Sequence, residues 1–305
     1  MKTQLPKPKI KTNASRFVSP PPRLQRTRQT SPLVDNDKLS PEELKARKRK
    51  FLGVFLVSYS AILAGSYYYF NWGLATDGPY QKPVPQDTKP IYEKLAKNYD
   101  SIINRDELFM LLPLWRRSVA GKAKGDVLEV SCGTGRNVNY LDIPQIKSMT
   151  FVDASESMIE LTKEKFTERY PKYQNVEFIA DMTENLSTDK KYDVIYETFG
   201  LCSYKDPVAA LMHLQDLLKP GGQIILLEHG SGTWDFINRV LDKHAVRHSL
   251  RYGCRWNLNI GQIVRDSGLV IDSESRSHLG TTWSITAHRA GDDLPKPQKQ
   301  RFLIW

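Results

Sequence analysis

"VLEVSCGTGRN", residues 127–137, decides how this chain is read. An apolar run carries Glu129 to its end and then breaks into Ser131, Cys132, Gly133, Thr134 and Gly135. Open α/β sheets bind ligands beyond the carboxyl ends of their strands, and glycines there let the backbone come closer to a ligand than any side chain permits. A dinucleotide fold needs three glycines leading into a helix. This loop has two, so on its own it leaves nucleotide, nucleoside and plain tight-turn readings level.

The flanking pattern narrows the choice. From residue 91 short apolar runs alternate with helical periodicity, which predicts a parallel sheet covered by helices. Strands are expected at 126–130, 149–153, 176–180, 192–197 and 223–228, and helices at 136–141, 156–170 and 207–218, the second capped by Ser155. "LKPGG" before the fifth strand reads as a turn opening a hairpin, and "LVIDSESR" with "TWSITAHR" as a closing antiparallel hairpin. Asp153 ends the second strand, where a carboxylate accepts hydrogen bonds from ribose hydroxyls. Asp181 and Met182 end the third, an acid and an apolar side chain suited to an adenine amino group and ring.

Charge is confined to one end. Residues 1–50 hold 14 of the 44 Lys and Arg but only 4 of the 34 Asp and Glu, so the remaining 255 residues carry 30 of each. A neutral domain argues against a nucleic-acid footprint. The first 34 residues contain eight basic side chains and no acid, the composition of a mitochondrial transit peptide, although the prolines also suit a disordered tail. After Lys48, Arg49 and Lys50, residues 51–70 are uncharged, long enough as a helix to span roughly 30 Å. Tyr67, Tyr68, Tyr69 and Trp72 fall where an aromatic belt belongs, so one transmembrane helix is expected over 51–72. The positive-inside rule then leaves the amino end in the matrix and sends the rest to the intermembrane space; an endoplasmic-reticulum signal-anchor is the alternative. Residues 73–90, with four prolines and two glycines, read as a linker, 91–290 as the domain and 291–305 as a tail.

Cys132, Cys202 and Cys254 lie 70 and 52 residues apart, which fits no zinc spacing, so no metal site is expected and the thiols are read as reduced. Cys132 and Cys202 follow adjacent strands and are expected near one crevice, chiefly as packing residues. His244 and His248 have ligand spacing on a helix but lack a third partner. His213, inside an apolar helical run, reads as structural.

The joint order of "LEVSCGTGRN", "GLCS", "LLKPGG" and "EH" resembles the class I S-adenosylmethionine-dependent methyltransferases over residues 91–290, above all the ubiquinone/menaquinone methyltransferase-like branch and fungal mitochondrial inner-membrane methyltransferase-like proteins. The resemblance implies a Rossmann-like α/β fold with a seven-stranded sheet, a reversed final strand and helices on both faces, preceded by the transmembrane helix. It implies S-adenosylmethionine across the ends of strands one to four: Glu129, Ser131, Gly133 and Gly135 toward the methionine portion, Asp153 on the ribose, Asp181 and Met182 at the adenine, and Thr198 facing the transferable methyl. Ser131 departs from the family pattern, which has glycine there. His229 is the first candidate base, with Glu228 behind it.

The expected activity is methyl transfer to a small-molecule or lipid, quinone-like acceptor, with inner-membrane proteins as further partners. A non-catalytic assembly or quality-control factor on the same fold is the alternative. RNA or protein methylation fits less well, since "YETFG" after the fourth strand lacks the Asn/Asp-Pro-Pro-Tyr/Phe arrangement used on base amino groups.

Overall fold

A computed structural model describes residues 40–68, 87–187 and 189–292. The basic leader up to residue 39, most of the expected linker and the tail from 293 lie outside the described residues, as do Tyr69 and Trp72. The chain forms two compact units, Met1–Asn71 and Trp72–Trp305.

In the first unit α1 covers Pro41–Tyr68. Its start is a capping box: Ser40 Oγ accepts from the Glu43 N–H at 3.3 Å, and Glu43 Oε2 accepts from the Ser40 N–H at 2.8 Å, with Pro41 at the first helical position. Phe51 and Val57 are 74% and 71% exposed, and Phe55 stacks on Tyr59. The expected single transmembrane span over 51–72 is not met here, because no helix among the described residues is long and apolar enough to cross a membrane. The expected span also reaches residues 69–72, which lie outside the described residues.

The second unit is a seven-stranded sheet. Its strands are β1 (Gly125–Val130), β2 (Ile146–Asp153), β3 (Val176–Ala180), β4 (Tyr192–Thr198), β5 (Leu218–His229), β6 (Leu269–Ser277) and β7 (Thr282–Arg289), in the order β3-β2-β1-β4-β5-β7-β6. The pairs from β3 through β5 are parallel, and β7 runs antiparallel to both neighbours. This is the reversed final strand the family resemblance implies. Reversal of order at β1 and β4 creates the crevice where such sheets bind ligands.

Burial on both faces explains why the strands read as continuous apolar runs. Val127, Met149, Phe151, Val194 and Tyr196 pack under α3 (Leu112–Ala120) and α4 (Glu156–Arg169). Leu128, Val130, Ile195 and Leu226 pack under α5 (Pro207–Asp216) and α7 (Ile260–Asp266). Phe166 of α4 meets Phe151 edge-on at 5.3 Å, and Phe151 stacks on Phe178 at 5.4 Å. The Ser155 cap of α4 is as expected, its Oγ accepting from the Met158 N–H at 3.2 Å. The remaining helices are α2 (Lys89–Phe109) and α6 (Asp235–Tyr252).

Three local expectations change. The helix expected over 136–141 is a single 3₁₀ turn, Val138–Tyr140. Asn137 spends its side chain on buried partners, and asparagine, here at 137 and 139, favours caps and turns over a helix interior. "LKPGG" opens no hairpin: β5 runs through it with a register shift against β4, Gly221 taking φ +74°. Lastly, α2 starts inside the expected linker, where the Thr88 hydroxyl donates to the Ser203 carbonyl at 3.2 Å.

Candidate active site

The loop after β1 folds back over its own sheet. Gly133, at φ +58°, donates its N–H to Asp153 Oδ2 at 2.8 Å and accepts from Thr162 Oγ1 of α4 at 2.7 Å. Asp153 Oδ1 takes the Ser155 N–H at 3.0 Å, so one carboxylate joins the β1 loop to the start of α4. Burial raises the Asp153 pKa, against those two N–H donors. A Cβ on Gly133 would stand in open space, whereas one on Gly135, φ +72°, would lie 3.0 Å from Thr162 Oγ1 and 3.1 Å from its Cα. The two glycines therefore serve different ends: Gly133 opens onto a cavity and Gly135 admits α4.

That cavity, of about 320 Å³, lies across the carboxyl ends of β1, β2, β3 and β4. Of the expected site residues, Ser131, Gly133, Asp153, Met182 and Thr198 lie on its wall. Ser131 holds φ +50°, the left-handed conformation in which a side chain costs about 1–2 kcal/mol, and its hydroxyl pairs with the Tyr204 hydroxyl at 3.0 Å. Gly200 makes room for it: a Cβ there would stand 2.6 Å from Ser131 Cβ and 2.1 Å from Glu197 Oε1. Tyr92, Tyr99, Phe199 and Tyr204 give the wall an aromatic side.

Other expected residues are placed elsewhere. Glu129, 1% exposed, lies off the wall, accepting from Asn137 Nδ2 at 2.8 Å and the Tyr196 hydroxyl at 2.5 Å. Burial pushes its pKa up to about 7, opposed by those donors. Asp181 is exposed and closes its own turn, accepting from the Met182 N–H at 2.7 Å and Asn185 Nδ2 at 2.8 Å. An acid at a strand end readily caps the next turn, and Met182 and Thr183 form the wall instead. Glu228 is fully buried and accepts from the Gly200 N–H at 3.1 Å, and burial, with Glu197 beside it, pushes its pKa well up. His229 is off the wall too, behind Phe199 at 5.4 Å between ring centres, with its Nε2 2.8 Å from Cys254 Sγ. Neither expected base thus reaches the cavity.

The expectation for the cysteines also shifts. Cys132 lies on the cavity wall beside Thr162, but Cys202 joins Cys254 and His229, their donor atoms all within 4.8 Å of one another. His213 is structural as expected, its Nε2 donating to the Leu186 carbonyl at 3.0 Å. His248 Nδ1 donates to the Cys254 carbonyl at 3.0 Å and its ring stacks on Trp256, a packing role.

The residues missed in the sequence form one network on the cavity. Arg116 of α3, 5% exposed, donates through Nε and Nη2 to both oxygens of Glu107 at 3.1 and 2.6 Å. Its Nη1 donates to Thr198 Oγ1 at 2.8 Å and Asn137 Oδ1 at 3.1 Å. Arg136 forks onto the same carboxylate at 3.1 and 2.8 Å and reaches Asp100 at 2.9 Å. Burial would raise the Glu107 pKa, but the two guanidiniums outweigh it and hold the carboxyl below its usual range. Partners up to 82 residues apart leave no local pattern to read.

The methyltransferase-domain family matches residues 103–274, more than half of the chain. The chain belongs to that family. Over 228 residues it is 48% identical to the mitochondrial methyltransferase OMS1 of Saccharomyces cerevisiae, covering 70% of this chain and 48% of that one. It is 29% identical over 165 residues to the ubiquinone/menaquinone biosynthesis C-methyltransferase UbiE of Francisella philomiragia, covering 52% and 65%. It spans about half to two thirds of the length of these relatives. A solved O-methyltransferase family protein from Burkholderia thailandensis superposes with a TM-score of 0.53 at 16% identity, over 76% of this chain and 71% of that one, a likeness of fold. The family expected from the glycine loop is therefore the one found.

Proposed function

We propose that this chain transfers a methyl group from S-adenosylmethionine to a small apolar ring acceptor of the quinone class. The observation that carries the reading is Asp153: a half-buried carboxylate at the end of β2, on the cavity wall, fixed by the N–H groups of Gly133 and Ser155. The fit is good where a nucleoside needs it. Gly133 offers a wall with no side chain, Met182 an apolar surface that is 46% exposed, and Asp153 an acceptor for ribose hydroxyls. Ser131 and Thr134 would hold the amino-acid end, with Thr198 and Phe199 toward the reacting methyl.

The sulfonium supplies an already activated methyl group, so the chain's task is to align the acceptor and keep water out. Tyr92, Tyr99, Phe199 and Tyr204 suit a flat apolar acceptor. Likeness to the Francisella ubiquinone/menaquinone biosynthesis C-methyltransferase supports the same class. A mitochondrial site and attachment to the inner membrane through the exposed apolar residues of α1 complete the proposal, supported by the OMS1 relative and by the basic run before Phe51. Carbonate extraction of mitochondria should leave the protein with the membranes, and release into the supernatant would remove this part.

Asp153→Asn tests the site. It keeps the size of the side chain while removing the charge that strengthens hydrogen bonds from ribose, worth about 1.5–3 kcal/mol each. Calorimetry on the full chain should show S-adenosylmethionine binding at least tenfold weaker, and unchanged affinity would refute the assignment. Transfer of labelled methyl into quinone precursors, absent in this variant, tests the acceptor class.

A further inference from the structure

Behind the aromatic side of the cavity, three elements far apart in the chain converge on one point. Cys202 lies in the 3₁₀ turn Leu201–Ser203 after β4, His229 is the last residue of β5, and Cys254 follows Gly253, the left-handed residue that ends α6. Cys202 Sγ, His229 Nε2 and Cys254 Sγ all lie within 4.8 Å of one another, and Cys202 and Cys254 are 1% and 5% exposed. We propose that these three atoms bind one zinc ion.

The donor set chooses the metal. Two thiolates and an imidazole are soft to borderline ligands that suit zinc and disfavour magnesium or calcium. Zn–S bonds near 2.3 Å and Zn–N bonds near 2.0 Å in a tetrahedron separate the ligand atoms by roughly 3.5–3.8 Å. The cluster already has that scale. His229 Nε2 and Cys254 Sγ, at 2.8 Å, need only to part by about 0.7 Å to meet that separation.

The surroundings hold the ligands in place. The Arg255 N–H and its Nε both donate to the Cys202 carbonyl, at 3.1 and 3.3 Å, which fixes the two cysteine-bearing loops against each other. His248 donates to the Cys254 carbonyl at 3.0 Å and stacks on Trp256 at 3.9 Å, while Phe199 packs on the His229 ring. Such second partners orient metal ligands. Three protein ligands are also the count of a zinc site that keeps one position for a non-protein oxygen. Phe199 and Ser203, direct neighbours of the cluster, belong to the cavity wall, and Ser203 Oγ pairs with the Tyr92 hydroxyl at 2.6 Å. The ion therefore sits beside the acceptor end of the cavity, and its binding expels the thiol protons to solvent.

The test is the metal content of the full chain purified with reductant and zinc and without chelator. We expect one zinc per chain, lost in Cys202→Ser/Cys254→Ser and in His229→Gln but kept in Asp153→Asn. Cobalt exchanged into the wild-type chain should give a thiolate-to-metal charge-transfer band with tetrahedral ligand-field intensity, a reading that requires no variant to fold. A folded wild-type chain that stays metal-free in zinc, zinc retained by the double cysteine variant, or a chain light by two hydrogens from a Cys202–Cys254 disulfide under these conditions would each overturn the proposal.

Discussion

Arg116→Met removes the charge at the centre of the cavity network while keeping much of the side-chain volume. Breaking a buried ion pair by deleting one partner costs about 3–5 kcal/mol, because the other charge is left uncompensated. Here Glu107 keeps the two bonds from Arg136, which places the cost near the lower bound. Asn137 Oδ1 loses its donor in a fully buried position, which adds to the loss. A net of about 3 kcal/mol in a domain of this size should lower the melting temperature by about 6–12 °C. Scanning calorimetry of the variant, of Glu107→Gln and of the double variant reads both the cost and the coupling. The two changes should be non-additive by more than about 1 kcal/mol, since they share one pair of charges. The Glu107 pKa is depressed, so its contribution is present above the unfolded pKa and lost as pH falls through the folded one. The wild-type chain should therefore lose more stability on acidification than the variant does. A melting temperature within about 2 °C of wild type, or additive single changes, would refute the role given to Arg116.

Gly135→Ala should destabilise the domain by more than the roughly 1–2 kcal/mol of left-handed strain, because its Cβ meets Thr162, whereas Gly133→Ala should cost only that strain and chiefly weaken S-adenosylmethionine binding; equal melting temperatures for the two would contradict the division. Glu129, with its pKa raised to about 7, binds a proton more tightly in the folded than in the unfolded chain. Its contribution to stability is thus fully present only below about pH 4 and falls away by about 3 kcal/mol as pH rises from about 4 to 7. Glu129→Gln should remove that much of the decline in denaturant titrations at the two pH values, and the difference between proteins is the reading because Glu197, up to about 8, declines with the same sign in both. A decline unchanged by the substitution would show that Glu129 does not carry it.

The elements that the sequence revealed are those with local causes. Apolar runs and glycine breaks marked the strands, and Ser155 marked the start of α4. The position of Asp153 on the crevice could be read because a strand end and its following loop are one local unit. Asp181 shows the reverse: the same strand-end signal fits a carboxylate that closes its own turn, and only the folded geometry reveals that cap. At Gly135 the signal is ambiguous in kind, because a positive φ and a close helix call for the same glycine that a close ligand would. The Arg116 network and the Cys202–His229–Cys254 cluster could not be read at all. Their partners sit on different strands and helices, and a spacing of 52 residues between cysteines carries no signal until β4, β5 and α6 bring them to one place.

The displacement of both expected bases from the cavity bears on how the proposed methyl transfer would be performed. His229 is engaged with Cys254 and Glu228 with the Gly200 N–H, and neither lines the cavity, so neither is placed to take a proton from a molecule in it. What remains on the wall is a set of rigidly partnered groups. Thr198 accepts from both Arg116 and Asn137, and Asn137 in turn donates to Glu129, which ties the end of β4 to the end of β1 across the crevice. Transfer from an activated sulfonium depends on holding the reacting atoms about 3–3.5 Å apart in line, and misplacement by an ångström can cost a hundredfold. On the proposed function, a network that fixes the two strand ends against each other is the chain's own contribution to rate. Asn137→Leu, which cuts both ties, should lower kcat well beyond any change in S-adenosylmethionine affinity, whereas an equal loss in both would make the network a binding device instead.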